Sequence, residues 1–179
     1  MLSIDNTLLV IVDVQGKLAS LMHEQEALYK NIVTMAKGAR ALAMPILWME
    51  QLPEKLGPTI PELTEVLDGL QPMPKSTFSC ARHSGFMESL EMTGREQVLI
   101  VGIEAHICVY QTAMDLLELD YQIEIVTDAV SSRTEQNKQI ALDKMATSGI
   151  DFTSVEMVLF ELLQTADAPQ FRDIARLIK

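Results

Sequence analysis

Residues 98–117 read VLIVGIEAHICVYQTAMDLL, and this stretch decides the fold. The unbroken apolar run Val98–Val101 marks a strand covered on both faces, because a strand with one wet face would alternate. Gly102 follows as a tight turn, and from about His106 to Leu119 the pattern reads as a helix that carries Cys108 near its start. Strand, turn and helix in that order form half of a β-α-β unit.

The same half-unit recurs on both sides. Thr7–Val14 contains the continuous apolar run Leu8–Val12 with Asp13 at its far end, so it predicts a second buried strand. From Glu24 to Ala43, Leu28, Ile32, Met35, Ala36, Ala39 and Leu42 recur at helical spacing, and Pro45 ends that helix before a strand at Ile46–Glu50. Gln51–Pro74 is rich in proline and predicts a long loop with a short helix near Glu62–Leu67. Long insertions at strand ends are usually functional. Ser84–Met92 predicts a helix ending near Gly94, and Ile123–Val126 a strand. Ser132 and Glu135 have capping-box spacing for a helix that stops at Gly149. Phe152–Ser154 predicts a last strand, and Val155–Leu163 and Pro169–Ile178 predict closing helices. This alternation implies one domain over 1–179, an α/β fold in three layers: a mainly parallel, Rossmann-like sheet between two layers of helices.

Composition narrows the function. There are 14 basic against 25 acidic residues, a formal net charge of −11, which disfavours nucleic acid and anionic membranes as partners. A hydrophobic fraction of 48% points to a well-filled interior or to surface buried by self-association, so a homo-oligomer is expected. Two cysteines, Cys80 and Cys108, with no dense spacing, indicate a reducing compartment, and a cytoplasmic location is expected. No signal or membrane-spanning segment is read near Met1.

In a parallel α/β sheet, ligands bind beyond the carboxyl ends of the strands. Asp13, Lys75 and Cys108 all fall near that rim. A thiol at a helix opening is placed to ionise and attack, and the N–H groups there are placed to receive an oxyanion. Asp13, poorly solvated at a strand end, has the raised proton affinity that suits a base. Lys75 would lower the thiol pKa and hold Asp13 ionised. Taken singly, each has a plainer reading: Cys108 as a packed thiol, Asp13 as a turn acceptor and Lys75 as a solvated lysine.

Four segments together resemble the isochorismatase-like cysteine hydrolase superfamily. They are LLVIVDVQGKL (8–18) with Asp13 and Gln15, PKSTFSC (74–80) with Lys75 and Phe78, the stretch 98–117 with Cys108, and IVTDAVSSR (125–133) with Asp128 and Arg133. Within that superfamily, MEQLPEKLGPTIPEL (49–63) looks most like the small isochorismatase-domain-containing members. The resemblance implies an Asp13–Lys75–Cys108 triad that hydrolyses a small-molecule amide or related C–N bond through a thioester. It also implies a cis Ile103–Glu104 peptide and an oxyanion hole from the backbone N–H groups of Glu104 and Cys108. Gln15, Glu50, Gln51, Phe78 and Ile103 are the expected lining of the substrate pocket.

Nicotinamidases of the superfamily hold a metal with an aspartate and histidines after the second strand. Here that region reads WMEQLPEKLG (48–57), without histidine, so no metal and no cofactor is expected. His23, His83 and His106 lack metal-ligand spacing. Two alternatives stay open: vinyl-ether hydrolysis of an isochorismate-like substrate with Asp13 as an acid, and a non-catalytic binding or scaffold role.

Overall fold

The computed structural model describes residues 1–179. In chain order its elements are β1 (Thr7–Val12), α1 (Gly16–Ala19), α2 (Gln25–Ala41), β2 (Ile46–Gln51), α3 (Pro53–Leu56), α4 (Pro61–Thr64), β3 (Met73–Lys75), α5 (Ser84–Thr93), β4 (Gln97–Ile103), a π-helical turn (Ala105–Val109) leading into α6 (Tyr110–Leu117), β5 (Gln122–Ser131), α7 (Glu135–Thr147), β6 (Asp151–Thr153), α8 (Val155–Leu163) and α9 (Phe171–Ile178). The six strands form one sheet in the order β3-β2-β1-β4-β5-β6, and every pairing is parallel.

Alternate residues of the central strands feed two cores. Leu9, Ile11, Leu99, Val101 and Ile103 pack under α2, α8 and α9, while Leu8, Val10, Val98 and Ile100 pack under α5, α6 and α7. Both faces are dry, which is why β1 and β4 read as unbroken apolar runs. The chain builds outward from β1 to β3, returns to place β4 beside β1, and then builds outward the other way. The switch point therefore lies between β1 and β4, and their carboxyl ends frame a crevice.

Four local expectations need correction. β3 is a strand inside what reads as loop; it is three residues long and lies at the sheet edge, the one place where Pro74, lacking an N–H, is tolerated. β5 runs on to Ser131 instead of ending at Val126, because pairing with β4 resumes at Gly102↔Val130 after an irregularity. The cap of α7 is Thr134, whose side chain accepts from the Asn137 N–H, and not Ser132, which is buried beyond the end of β5. The helix after β4 opens with the π-helical turn, so Cys108 sits inside a wide turn and not at a regular helix start.

Gly102 lies hard against β1. Its φ is +115°, and a Cβ there would lie 2.1 Å from the Val12 carbonyl oxygen. A side chain is excluded on both counts. Gly102→Ala is expected to destabilise the protein by about 2–3 kcal/mol in urea denaturation. Unchanged stability would contradict this close approach.

Candidate active site

The crevice gathers residues from three strands. Asp13 directly follows β1 in a left-handed conformation (φ +53°), and its N–H donates to the Met49 carbonyl at the end of β2, 3.3 Å away. Lys75 ends β3, two strands away, and its side chain crosses the end of β2 to reach Asp13. Cys108 comes from the π-helical turn after β4. The turn follows a cis peptide between Ile103 and Glu104.

The Lys75 ammonium is buried and meets four oxygens: Asp13 Oδ2 at 2.7 Å, Gln51 Oε1 at 2.6 Å, and the carbonyls of Thr77 and Phe78 at 3.1 Å each. An ammonium has only three protons, so none is left over for a substrate. Lys75 therefore acts on Asp13 and on loop 77–78. Removing one partner of such a buried pair typically costs about 3–5 kcal/mol.

The second carboxylate oxygen, Asp13 Oδ1, is buried and has no hydrogen-bond partner. The Cys108 thiol is near enough to Asp13 to count among the influences lowering its pKa, and Oδ1 is the carboxylate oxygen that no other group engages. Burial is the larger influence and outweighs the Lys75 charge, so the Asp13 pKa is raised on balance. That agrees with the expected raised proton affinity. The expectation for the thiol is corrected. Lys75 does pull the Cys108 pKa down, but burial first and the Asp13 charge second push it up further, and the net direction is upward. Cys108 thus rests as a thiol, against a carboxylate with high proton affinity. Cys80 is fully buried, with its pKa pushed up to about 12, chiefly by that burial.

A cavity of about 120 Å³ opens onto this group. Asp13, Gln51, Glu104 and Cys108 line it together with the apolar Leu18, Leu56, Phe78, Ile103 and Ile107. Gln51, Phe78 and Ile103 are where the sequence puts them. Gln15 and Glu50 are not in the lining. The Gln15 amide is used on the backbone, accepting from the Gln51 N–H at 2.6 Å and donating to the carbonyls of Gly57 (2.7 Å) and Gln51 (3.2 Å). Glu50 Oε1 accepts from the N–H and hydroxyl of Thr59, both at 2.7 Å. Both residues brace the segment after β2 instead of facing the cavity.

Glu104 Oε2 is held by the backbone N–H and the Nε of Arg133, each at 3.1 Å, which fixes the residue after the cis peptide to the end of β5. The three histidines lie outside the cavity. His83 accepts from the Phe86 N–H at the start of α5, His106 meets Ser132 Oγ at 2.8 Å, and His23 lies 4.0 Å from Glu135. The sequence reading missed Leu18, Leu56 and Ile107. Ile107 is legible from its adjacency to Cys108, whereas Leu56 sits in a proline-rich stretch with no periodicity to place it.

Residues 7–157 match the family described as Isochorismatase domain. The chain belongs to the isochorismatase family. Isochorismatase domain-containing protein 2 of Danio rerio is 36% identical over 177 residues, covering 99% of this chain and 89% of its own. A solved structure titled MAR1 ribonuclease, from Caenorhabditis elegans, superposes with a TM-score of 0.93 at 33% identity, covering 99% of this chain and 91% of that one. The Escherichia coli YcaC gene product, described as an octameric hydrolase of unknown specificity, has a TM-score of 0.92 at 21% identity, covering 98% of this chain and 89% of its own, and so shares the fold. Isochorismatase-family membership supports hydrolase activity. Asp13, Lys75 and Cys108 lie within the matched range. No helix is long and apolar enough to cross a membrane.

The electrostatics generate a signed prediction. The Asp13 charge raises the thiol pKa, so Asp13→Asn is expected to lower the pH midpoint for alkylation of Cys108, mapped by mass spectrometry. The now unpaired Lys75 pulls in the same direction. An unchanged or higher midpoint would contradict the coupling.

Proposed function

We propose that this isochorismatase-family chain is a cysteine hydrolase that cleaves the C–N bond of a small amide through a thioester on Cys108. The observation that carries this reading is the buried Asp13 carboxylate, one oxygen fixed by Lys75 and the other without a partner, in a small cavity that Cys108 also lines.

In this mechanism the Cys108 proton passes to Asp13 Oδ1 as sulfur attacks the carbonyl carbon, so no free thiolate need form beforehand. The C–S bond forms, the carbonyl electron pair moves onto oxygen, and the backbone N–H groups of Glu104 and Cys108 receive the oxyanion. Collapse expels the amine, which takes the proton from Asp13. Water then attacks the thioester, giving its proton to Asp13, and the acid departs as Cys108 is reprotonated. Lys75 keeps Asp13 aimed and charged through both halves and does not touch the substrate.

The raised Asp13 pKa also favours a second reading, vinyl-ether hydrolysis with Asp13 as the acid and Cys108 dispensable. An RNA substrate, as the ribonuclease neighbour's title would suggest, fits poorly with a net charge of −11 and a cavity of about 120 Å³. A homo-oligomer in the cytoplasm is the proposed setting. Exposed Leu119, Met157 and Phe160 favour self-association, and two free cysteines favour a reducing compartment.

The test is hydrolysis of a panel of small amides, carbamoyl compounds and isochorismate by the wild type and by Cys108→Ala. Amide turnover is expected to fall by more than about a thousandfold in the variant. Amide turnover that persists would overturn the covalent mechanism. Isochorismate turnover that survives in Cys108→Ala but not in Asp13→Asn would establish the vinyl-ether reading instead.

A further inference from the structure

We infer that the site accepts only an uncharged, short acyl group, and that Leu56 and Phe78 set the length limit. This rests on the proposal that Cys108 is the nucleophile.

The size limit follows from volume. The cavity holds about 120 Å³, against roughly 300–1,000 Å³ for pockets that enclose a drug-sized ligand. The acyl group it takes is therefore small. Five apolar side chains make up the rest of the lining, so the carbon end of such an acyl group meets carbon.

The charge limit follows from counting protons. Among the lining residues the only ionisable oxygens belong to Asp13 and Glu104, and each already has its own cation, Lys75 and Arg133 respectively. No cation lines the cavity. Lys75 has no N–H to spare, and Arg133, which holds Glu104 through its Nε, is not among the lining residues. A substrate carboxylate would be buried beside two carboxylates without a partner, and an ammonium would meet carboxylates already neutralised. Either charge would lose its hydration without equivalent return.

The wall that enforces length is braced. Leu56 ends α3, and the backbone there lies directly on Gly16, where a Cβ would sit 2.0 Å from the Leu56 carbonyl oxygen. Gln15 ties the adjacent Gly57 to the end of β1, and Glu50 holds Thr59 two residues further on. Gln15 and Glu50 are thus positioning residues for this wall. Opposite this bracing, Phe78 is 54% exposed while lining the cavity, which puts its ring at the opening.

Charge selectivity is tested without turnover by alkylating native protein with iodoacetamide, iodoacetate and 2-bromoethylammonium. Each rate at Cys108 is divided by the rate for the same residue in the urea-unfolded chain. The neutral reagent is expected to exceed both charged ones by about a hundredfold. Equal normalised rates would overturn the inference. Length selectivity is read from kcat/KM for acetamide against hexanamide. Leu56→Ala, or Phe78→Ala should the first fold poorly, is expected to raise the relative rate on hexanamide about tenfold. A wild type that prefers hexanamide, or variants with the wild-type profile, would overturn it. Failure of the nucleophile reading is separately visible as amide turnover in Cys108→Ala with the alkylation pattern intact.

Discussion

The Lys75 ammonium is sealed among four oxygens, and a charge taken out of water costs several kcal/mol unless its hydrogen bonds are replaced. That requirement organises the rim of the sheet. It needs β3, however short, to bring Lys75 to the edge. It needs loop 77–78 to turn two carbonyls inward, which also delivers the Phe78 ring to the cavity. It needs Gln51 aimed at the ammonium, and Gln51 is in turn fixed by the Gln15 amide through its backbone N–H. Asp13 is left with one oxygen satisfied and one free.

The free oxygen explains why the thiol and the carboxylate belong to one unit. Burial is the largest influence raising the pKa of both Asp13 and Cys108, and the Lys75 charge opposes it at each. Ionisation on approach of an electrophile fits this arrangement better than a standing thiolate. Lys75 holds the buried carboxylate in place through Oδ2, and its saturation leaves the cavity without a cation of its own.

Much of the architecture is legible in the chain because the central strands are dry on both faces. The runs Leu8–Val12 and Val98–Val101 declare themselves, and with them the switch point where Asp13 and Cys108 meet. Lys75 was legible as a site residue mainly through the PKSTFSC segment, since β3 is three residues long and contains Pro74. What escaped the sequence depends on tertiary contact. Ser132 resembles a helix cap until its burial beside His106 is known. Gln15 and Glu50 resemble pocket residues, yet their polar atoms are spent on the backbone of 51–59. The direction of the thiol's pKa escapes the sequence because position near a helix start gives the dipole but not the degree of burial, and burial prevails here. Leu18 and Leu56 became lining residues only when α1 and α3 folded over the rim.

The central claim is that Cys108 forms an acyl-enzyme, and partitioning with hydroxylamine tests it directly. One acyl group is supplied with ammonia or an alcohol as leaving group, and the ratio of hydroxamate to acid is measured. A shared thioester predicts the same ratio from both substrates, with both products abolished in Cys108→Ala. A ratio that changes with the leaving group would mean that no common acyl intermediate exists, and would contradict the account.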